Sequence, residues 1–206
     1  MDAAVLGTGM VGRAIASRLV TLQHRVRMGS RSNSSDASRQ WAHSAGELGS
    51  AGTFADAAAF GEVVFNCTRG AASLEALHAA GADNLKDKIL VDVANVLPPD
   101  DPGPISLGER IQDAFPRARV VKTLNTVNCD VMVSPGIVPG RHALFLSGND
   151  PGAKKTVRDI LESFGWIDII DLGDITTARA TEGYLPLWLS LWKTLGTAAF
   201  NLQIAR

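Results

Sequence analysis

The hexapeptide Gly7-Thr8-Gly9-Met10-Val11-Gly12 follows an apolar run and opens a stretch of helical periodicity. In that setting the G-x-G-x-x-G spacing suits the pyrophosphate of a dinucleotide. Gly7 permits a tight turn, Gly9 lets the backbone approach the phosphates, and Gly12 lets the helix lie close to the strand before it. Free N–H groups and the positive end of the helix dipole complete an anion site. A glycine-rich turn without a ligand is the structural alternative.

An NAD site adds a carboxylate at the end of the second strand, where it accepts hydrogen bonds from ribose hydroxyls. Here that position reads Gly29-Ser30-Arg31-Ser32, with Arg31 nineteen residues after Gly12. A guanidinium pairs with phosphate through two parallel hydrogen bonds and stacks on adenine. Ser30 and Ser32 add hydroxyls and Asn33 an amide. The set selects NADP(H); its rival is a solvated loop arginine.

Three further stretches end apolar runs with small polar groups: "FNCTRG" (residues 65–70), "DVANV" (92–96) and "KTLNTVN" (122–128). Ligands of open α/β sheets bind at such carboxyl ends. Thr68, Asn95, Asn125 and Thr126 are therefore candidates for ribose or carboxamide contacts, with Cys67 beside them in the cofactor-binding set. Cys67 and Cys129 are the only cysteines; their spacing matches no metal motif, and each reads as a small buried residue. Arg69 is a possible phosphate contact or an ordinary exposed arginine.

Carbonyl reduction needs a proton donor, usually Tyr, His or Lys. Tyr184 is the only tyrosine, and His24, His43, His78 and His142 are scattered. His24 and His142 read as structural, and no Ser-His-Asp, HExxH or paired-carboxylate pattern appears. Hydride transfer between two redox rings requires none of these, only that the rings be held face to face.

The elements that must position these residues follow from periodicity. Val5–Leu6, Val26–Met28, Val63–Asn66, Ile89–Val93, Val120–Leu124 and Ala143–Leu146 are continuous apolar runs, as in a parallel sheet covered on both faces. Trp166–Asp171 is a further candidate strand. Val11, Ile15, Leu19 and Leu22 share one helical face. Asn149-Asp150-Pro151 caps a second amphipathic helix carrying Ala153, Val157, Ile160, Leu161 and Phe164. The segment 98–104 reads as a stiff irregular linker. The alternation predicts an α/β fold: a Rossmann-type, doubly wound, mostly parallel sheet (1–172) with a small C-terminal helical extension (173–206).

Twenty basic against 21 acidic residues leave a net charge of −1, which argues against a nucleic-acid partner. The segment 184–205 has about the length of a membrane span, but Pro186, Lys193 and Gly196 interrupt it. A helix buried in the protein or in a dimer is the better reading. With no basic leader-like start, a reducing, cytoplasmic location is expected.

Together, "VLGTGMVG", "GSRS", "VVKTLNTVN", "FLSGNDPGAKK" and "DLGDITTARATEGYLPLWLSLW" resemble the coenzyme F420-dependent NADP oxidoreductases over nearly the whole chain. The resemblance implies that Thr8, Met10, Val11, Ser30 and Arg31 hold NADP. It also implies that the C-terminal helices close a pocket over the nicotinamide and pair two chains. A deazaflavin, coenzyme F420, would exchange hydride between its C5 and nicotinamide C4. Asn125, Leu185 and Pro186 would line that second-ring site without acid–base catalysis, extended by Trp188 and Trp192 unless these tryptophans pack in a core or dimer. Deazaflavin-using members tend to carry histidine where this chain has Asn125. Two rival readings are an NADPH-dependent reductase of flavin, ferric iron or imine, and a non-catalytic NADP-binding redox sensor. The Rossmann domain of membrane-bound ferric reductases has a similar pattern.

One charge-assisted hydrogen bond to phosphate contributes about 1.5–3 kcal/mol. Arg31→Ala should therefore weaken NADPH binding about tenfold or more while leaving NADH nearly unaffected, as titration of both nucleotides would show.

Overall fold

The computed structural model describes residues 1–32, 35–97, 100 and 103–206. Asn33 and most of the expected 98–104 linker lie outside the described residues. Eight strands form one sheet among them: β1 (Asp2–Leu6), β2 (Arg25–Ser30), β3 (Gly49–Thr53), β4 (Val63–Asn66), β5 (Ile89–Asp92), β6 (Arg119–Thr123), β7 (Ala143–Gly148) and β8 (Asp168–Asp171). Their order is β3-β2-β1-β4-β5-β6-β7-β8. All neighbours are parallel except β6 and β7, so β7 and β8 run against the rest. The expected Rossmann-type sheet is the one observed.

Helices cover both faces: α1 (Met10–Thr21), α2 (Asp36–Ala45), α3 (Phe54–Phe60), α4 (Gly70–Ala80), α5 (Ala82–Leu85), α6 (Leu107–Ala114), α7 (Cys129–Val133), α8 (Pro151–Phe164), α9 (Ala178–Gly183) and α10 (Leu185–Leu195). Alternate residues of one strand enter opposite cores. Ala3 and Val5 of β1 join Ile15 and Leu19 of α1, while Ala4 and Leu6 join Phe54 and Ala57 of α3. The five apolar positions expected on α8 are all buried, and Asp150 caps that helix through Ala153 N at 2.6 Å. Beyond β8, Ile175 and Ala178 enter the core that holds α6.

β3 was not foreseen. Its sequence, Gly-Ser-Ala-Gly-Thr, lacks the β-branched run that marks a strand. Small residues are required here because helices press on the edge: a Cβ on Gly49 would fall 2.3 Å from Ala45 Cβ, and one on Gly52 2.8 Å from Asp56 Cβ. The candidate strand at Trp166 begins only at Asp168. Trp166 instead fills the core, its indole N–H donating to Met132 O at 2.9 Å.

The apolar C-terminal segment forms an eleven-residue helix ended by Gly196 at φ 67°. Such a helix is about 16 Å long, and among the described residues no helix is long and apolar enough to cross a membrane. The tail folds back: Ala143 N donates to Leu202 O at 2.9 Å, and Asn201 Nδ2 donates to Ala143 O at 2.8 Å. Trp188 stacks on Phe200 with ring centres 5.5 Å apart.

Replacing Trp166 by Phe strands the buried Met132 carbonyl, so Trp166→Phe should lower stability by about 2 kcal/mol in urea denaturation.

Candidate functional site

The turn from β1 into α1 builds an anion cradle. Gly7 has φ 117°, donates its N–H to Gly29 O at 3.0 Å, and leaves no room for a side chain, since a Cβ would fall 2.6 Å from Cys67 O. Gly9 precedes the helix, and a Cβ there would meet nothing within 4 Å, so the backbone is open to an incoming group. Arg13 N closes the first helical bond, onto Gly9 O at 3.0 Å. The N–H groups of Met10, Val11 and Gly12 therefore precede the ladder, and no acidic side chain sits in that turn. A Cβ on Gly12 would fall 2.0 Å from Gly7 O, so its close approach is to the turn itself. Gly7, Thr8 and Gly9 line a cavity of about 440 Å³. The Met10 side chain is exposed and Val11 packs toward the core, leaving their backbone N–H groups as what they can offer.

Ser30, Arg31 and Ser32 close the far end of this cavity, where an NAD enzyme would place its acid. Ser30 is buried, and its hydroxyl donates to Ser32 O at 2.7 Å. That proton braces the turn that presents Arg31 and is not spare for a phosphate. Arg31 is exposed and forms no ion pair with any described residue. Sequence reasoning missed Ser35, the N-cap of α2, and Phe54, which also line the cavity. Ser35 had a legible signal, a cap preceding an acidic first turn.

At the next strand ends, Thr68 donates to Asn66 Oδ1 at 2.6 Å, and Arg69 pairs with Asp100 at 3.2 Å. Cys67 lines the cavity, but burial, reinforced by the charge of Asp92, pushes its thiol far above the ordinary range. It is a packing residue and not a nucleophile. Asn95 and Asn125 bind each other: Asn95 Nδ2 donates to Asn125 O at 2.6 Å, and Asn125 Nδ2 donates to Asn95 Oδ1 at 3.1 Å. Just before them Leu124 holds φ 64°, a costly conformation for a branched residue at a strand end. Beside them the buried Thr126 Oγ1 has no hydrogen-bond partner among the described residues.

These features fit NADP. The open glycine turn has room and free N–H groups for a pyrophosphate, an arginine and not an acid follows β2, and the Thr126 hydroxyl has a hydrogen bond to spare.

A second cavity, about 460 Å³ and mostly apolar, lies between Val96, Ile105, Leu185, Pro186 and Leu189. Glu182, Arg179 and Ser106 supply its polar edge. It begins one residue beyond Asn95. The structure brings the expected Leu185 and Pro186 together there, but not the other two members of that set. Asn125 is engaged with Asn95, and Trp188 is turned onto Phe200. None of the four histidines lines either cavity. His142 is held between Pro135 O at 3.0 Å and Asn201 Nδ2 at 2.9 Å. The Tyr184 hydroxyl is buried without a partner among the described residues, and burial raises its pKa. Among the described residues no cluster could hold a metal ion.

Sequence reasoning also passed over three charged residues behind these strand ends: Asp92, Lys122 and Glu182, which form buried ion pairs. A lysine inside the apolar run Val120–Leu124 was the available signal.

Residues 2–96 match the family model "NADP oxidoreductase coenzyme F420-dependent". The provisionally named F420-dependent NADP-reductase of Arthrobacter sp. FB24 is 49% identical, with full coverage of both chains and a TM-score of 0.93. Metalloreductase STEAP3 of Rattus norvegicus is 28% identical over 97% of this chain, which spans 39% of that protein. The F420-dependent NADP reductase of Methanocaldococcus jannaschii is 28% identical over 59% of this chain and 60% of its own length. Fungal and bacterial reductive aminases and imine reductases share the fold at 16–19% identity. With the glycine turn, the Arg31 end and the full-length match in agreement, the chain belongs to the coenzyme F420-dependent NADP oxidoreductase family.

Proposed function

We propose that this protein moves hydride between NADP(H) and a flat redox acceptor, coenzyme F420 or a similar flavin-like ring, seated in the apolar cavity. The observation that carries this reading is the contact between the walls of two cavities: Arg69, lining the first, pairs with Asp100, lining the second, at 3.2 Å. Thr68 and Arg31 line the dinucleotide cavity, and the apolar one starts at Val96, next to Asn95. Bound NADP(H) supplies the hydride at its nicotinamide ring. The chain holds and orients: N–H groups of the glycine turn bind the pyrophosphate, Arg31 the 2′-phosphate, and Asn95, Asn125 and Thr126 the nicotinamide end. Val96, Leu185, Pro186 and Leu189 exclude water from the second ring. Hydride transfer between rings asks for distance and angle more than for a proton donor, and the absence of a histidine from both cavities agrees with that.

A second reading, reduction of flavin or ferric iron by NADPH, is favoured by the similarity to a metalloreductase over 97% of the chain. NADPH mixed with oxidised F420 should bleach the deazaflavin absorbance, and NADH should not. Bleaching of FMN or reduction of a ferric chelate in place of F420 would transfer the assignment to the second reading.

The exposed apolar face of α10 supports a homodimer. Leu187, Trp192 and Leu195 lie about half exposed on that helix, an unfavourable surface for a lone chain. Light scattering should give twice 21.8 kDa for the protein and 21.8 kDa for Trp192→Glu.

A further inference from the structure

Behind the two cavities lies a charge cluster that the functional reading leaves unused. Lys122 on β6 and Asp92 on β5 are fully buried, and the Glu182 side chain on α9 nearly so. The ammonium donates to Asp92 Oδ2 at 2.8 Å, Ala94 O at 2.6 Å and Glu182 Oε1 at 2.9 Å. Three acceptors match its three protons. Asp92 Oδ1 in turn accepts from Asn66 Nδ2 at 2.8 Å, and Asn66 Oδ1 accepts from Thr68 Oγ1 at 2.6 Å. Glu182 accepts from Leu107 N at 2.8 Å and Gly108 N at 3.1 Å.

An unbroken polar path therefore joins Thr68, in the wall of the dinucleotide cavity, to Glu182, in the wall of the apolar one. One ammonium faces two carboxylates, and the positive end of α6 offsets the excess negative charge. Burial alone would lower the lysine pKa, but the two carboxylates more than reverse this and hold it above its ordinary value. Lys122 is held in its ammonium form.

Ion pairs this deep give little net stability over apolar residues of equal volume, so stability does not account for them. Their geometry points elsewhere. Lys122 grips the carbonyl of Ala94, the residue before Asn95. Asn95 O accepts from Gly70 N at 3.1 Å, and a Cβ on Gly70 would fall 2.4 Å from that oxygen. A small shift of the Ala94–Asn95 turn would thus disturb the Asn95–Asn125 pair and the start of α4 together.

We propose that Lys122 is a positioning residue: by tying Asp92 and Ala94 on one side to Glu182 on the other, it sets where the nicotinamide half of the cofactor lies against the acceptor cavity. This rests on the NADP(H) reading above. Adenosine 2′,5′-bisphosphate carries the adenine and 2′-phosphate of NADPH but no nicotinamide, so the two ligands separate the halves of the site.

Calorimetric titration of both ligands, with thermal melts, tests the proposal on the full chain, Lys122→Met and the neutral triple variant Asp92→Asn/Lys122→Met/Glu182→Gln. The triple variant leaves no unpaired buried charge if the single one fails to fold. NADPH affinity should fall about tenfold, the value of one lost amide contact, with the bisphosphate nearly unchanged, while the melting temperature of the triple variant falls because the Ala94 carbonyl and one amide at the start of α6 lose their partners. Equal weakening of both ligands, or undiminished NADPH binding, would overturn the positioning role. Failure of the unmodified protein to bind either ligand would instead remove the NADP(H) reading, and the proposal with it.

Discussion

A parallel sheet covered on both faces leaves only its carboxyl edge where backbone groups can meet a ligand without disrupting the core. Every functional feature of this molecule follows from that constraint. β1, β4, β5 and β6 end side by side, and each turn beyond them carries small polar residues because large ones would block the edge. The first turn is the tightest: Gly7 and Gly12 sit where a Cβ would collide with backbone oxygen. That contact fixes how α1 leaves the turn.

Charge then decides which ligand. Helix starts favour any anion, so the glycine turn alone does not discriminate between dinucleotides. The proposed discrimination lies at the end of β2, where Gly29 is held glycine by Ala57 and Leu6 packed against it, each within about 3 Å of where a Cβ would stand. The chain thus turns outward at Ser30, whose own hydroxyl stabilises the turn. Arg31 is left exposed in the wall of the cavity.

The other end of the site is built differently. Apart from the Thr126 hydroxyl, its polar groups are satisfied by one another, through the two asparagines and the Lys122 cluster, and its cavity wall is mostly apolar. Buried polar groups that bond each other stay fixed, whereas the mostly apolar wall offers few directional contacts.

Runs of apolar residues and glycine spacing depend on local sequence, which is why the Rossmann-type sheet, α1, α8 and the Arg31 end could be read without coordinates. Features formed by residues far apart in the chain could not. β3 is a strand because α2 and α3 press on it, not because its residues prefer one. Asn125 and Trp188 were grouped with Leu185 and Pro186 by likeness, yet hydrogen bonding to Asn95 and stacking on Phe200 separate them. The union of Asp92, Lys122 and Glu182 required three elements to meet in one interior. The sequence by itself determined where the dinucleotide turn lies, since the glycine spacing and the apolar run before it fall within one βαβ unit. Only the tertiary structure decided how the acceptor side is walled and braced, because a buried ammonium finds its partners across space and not along the chain.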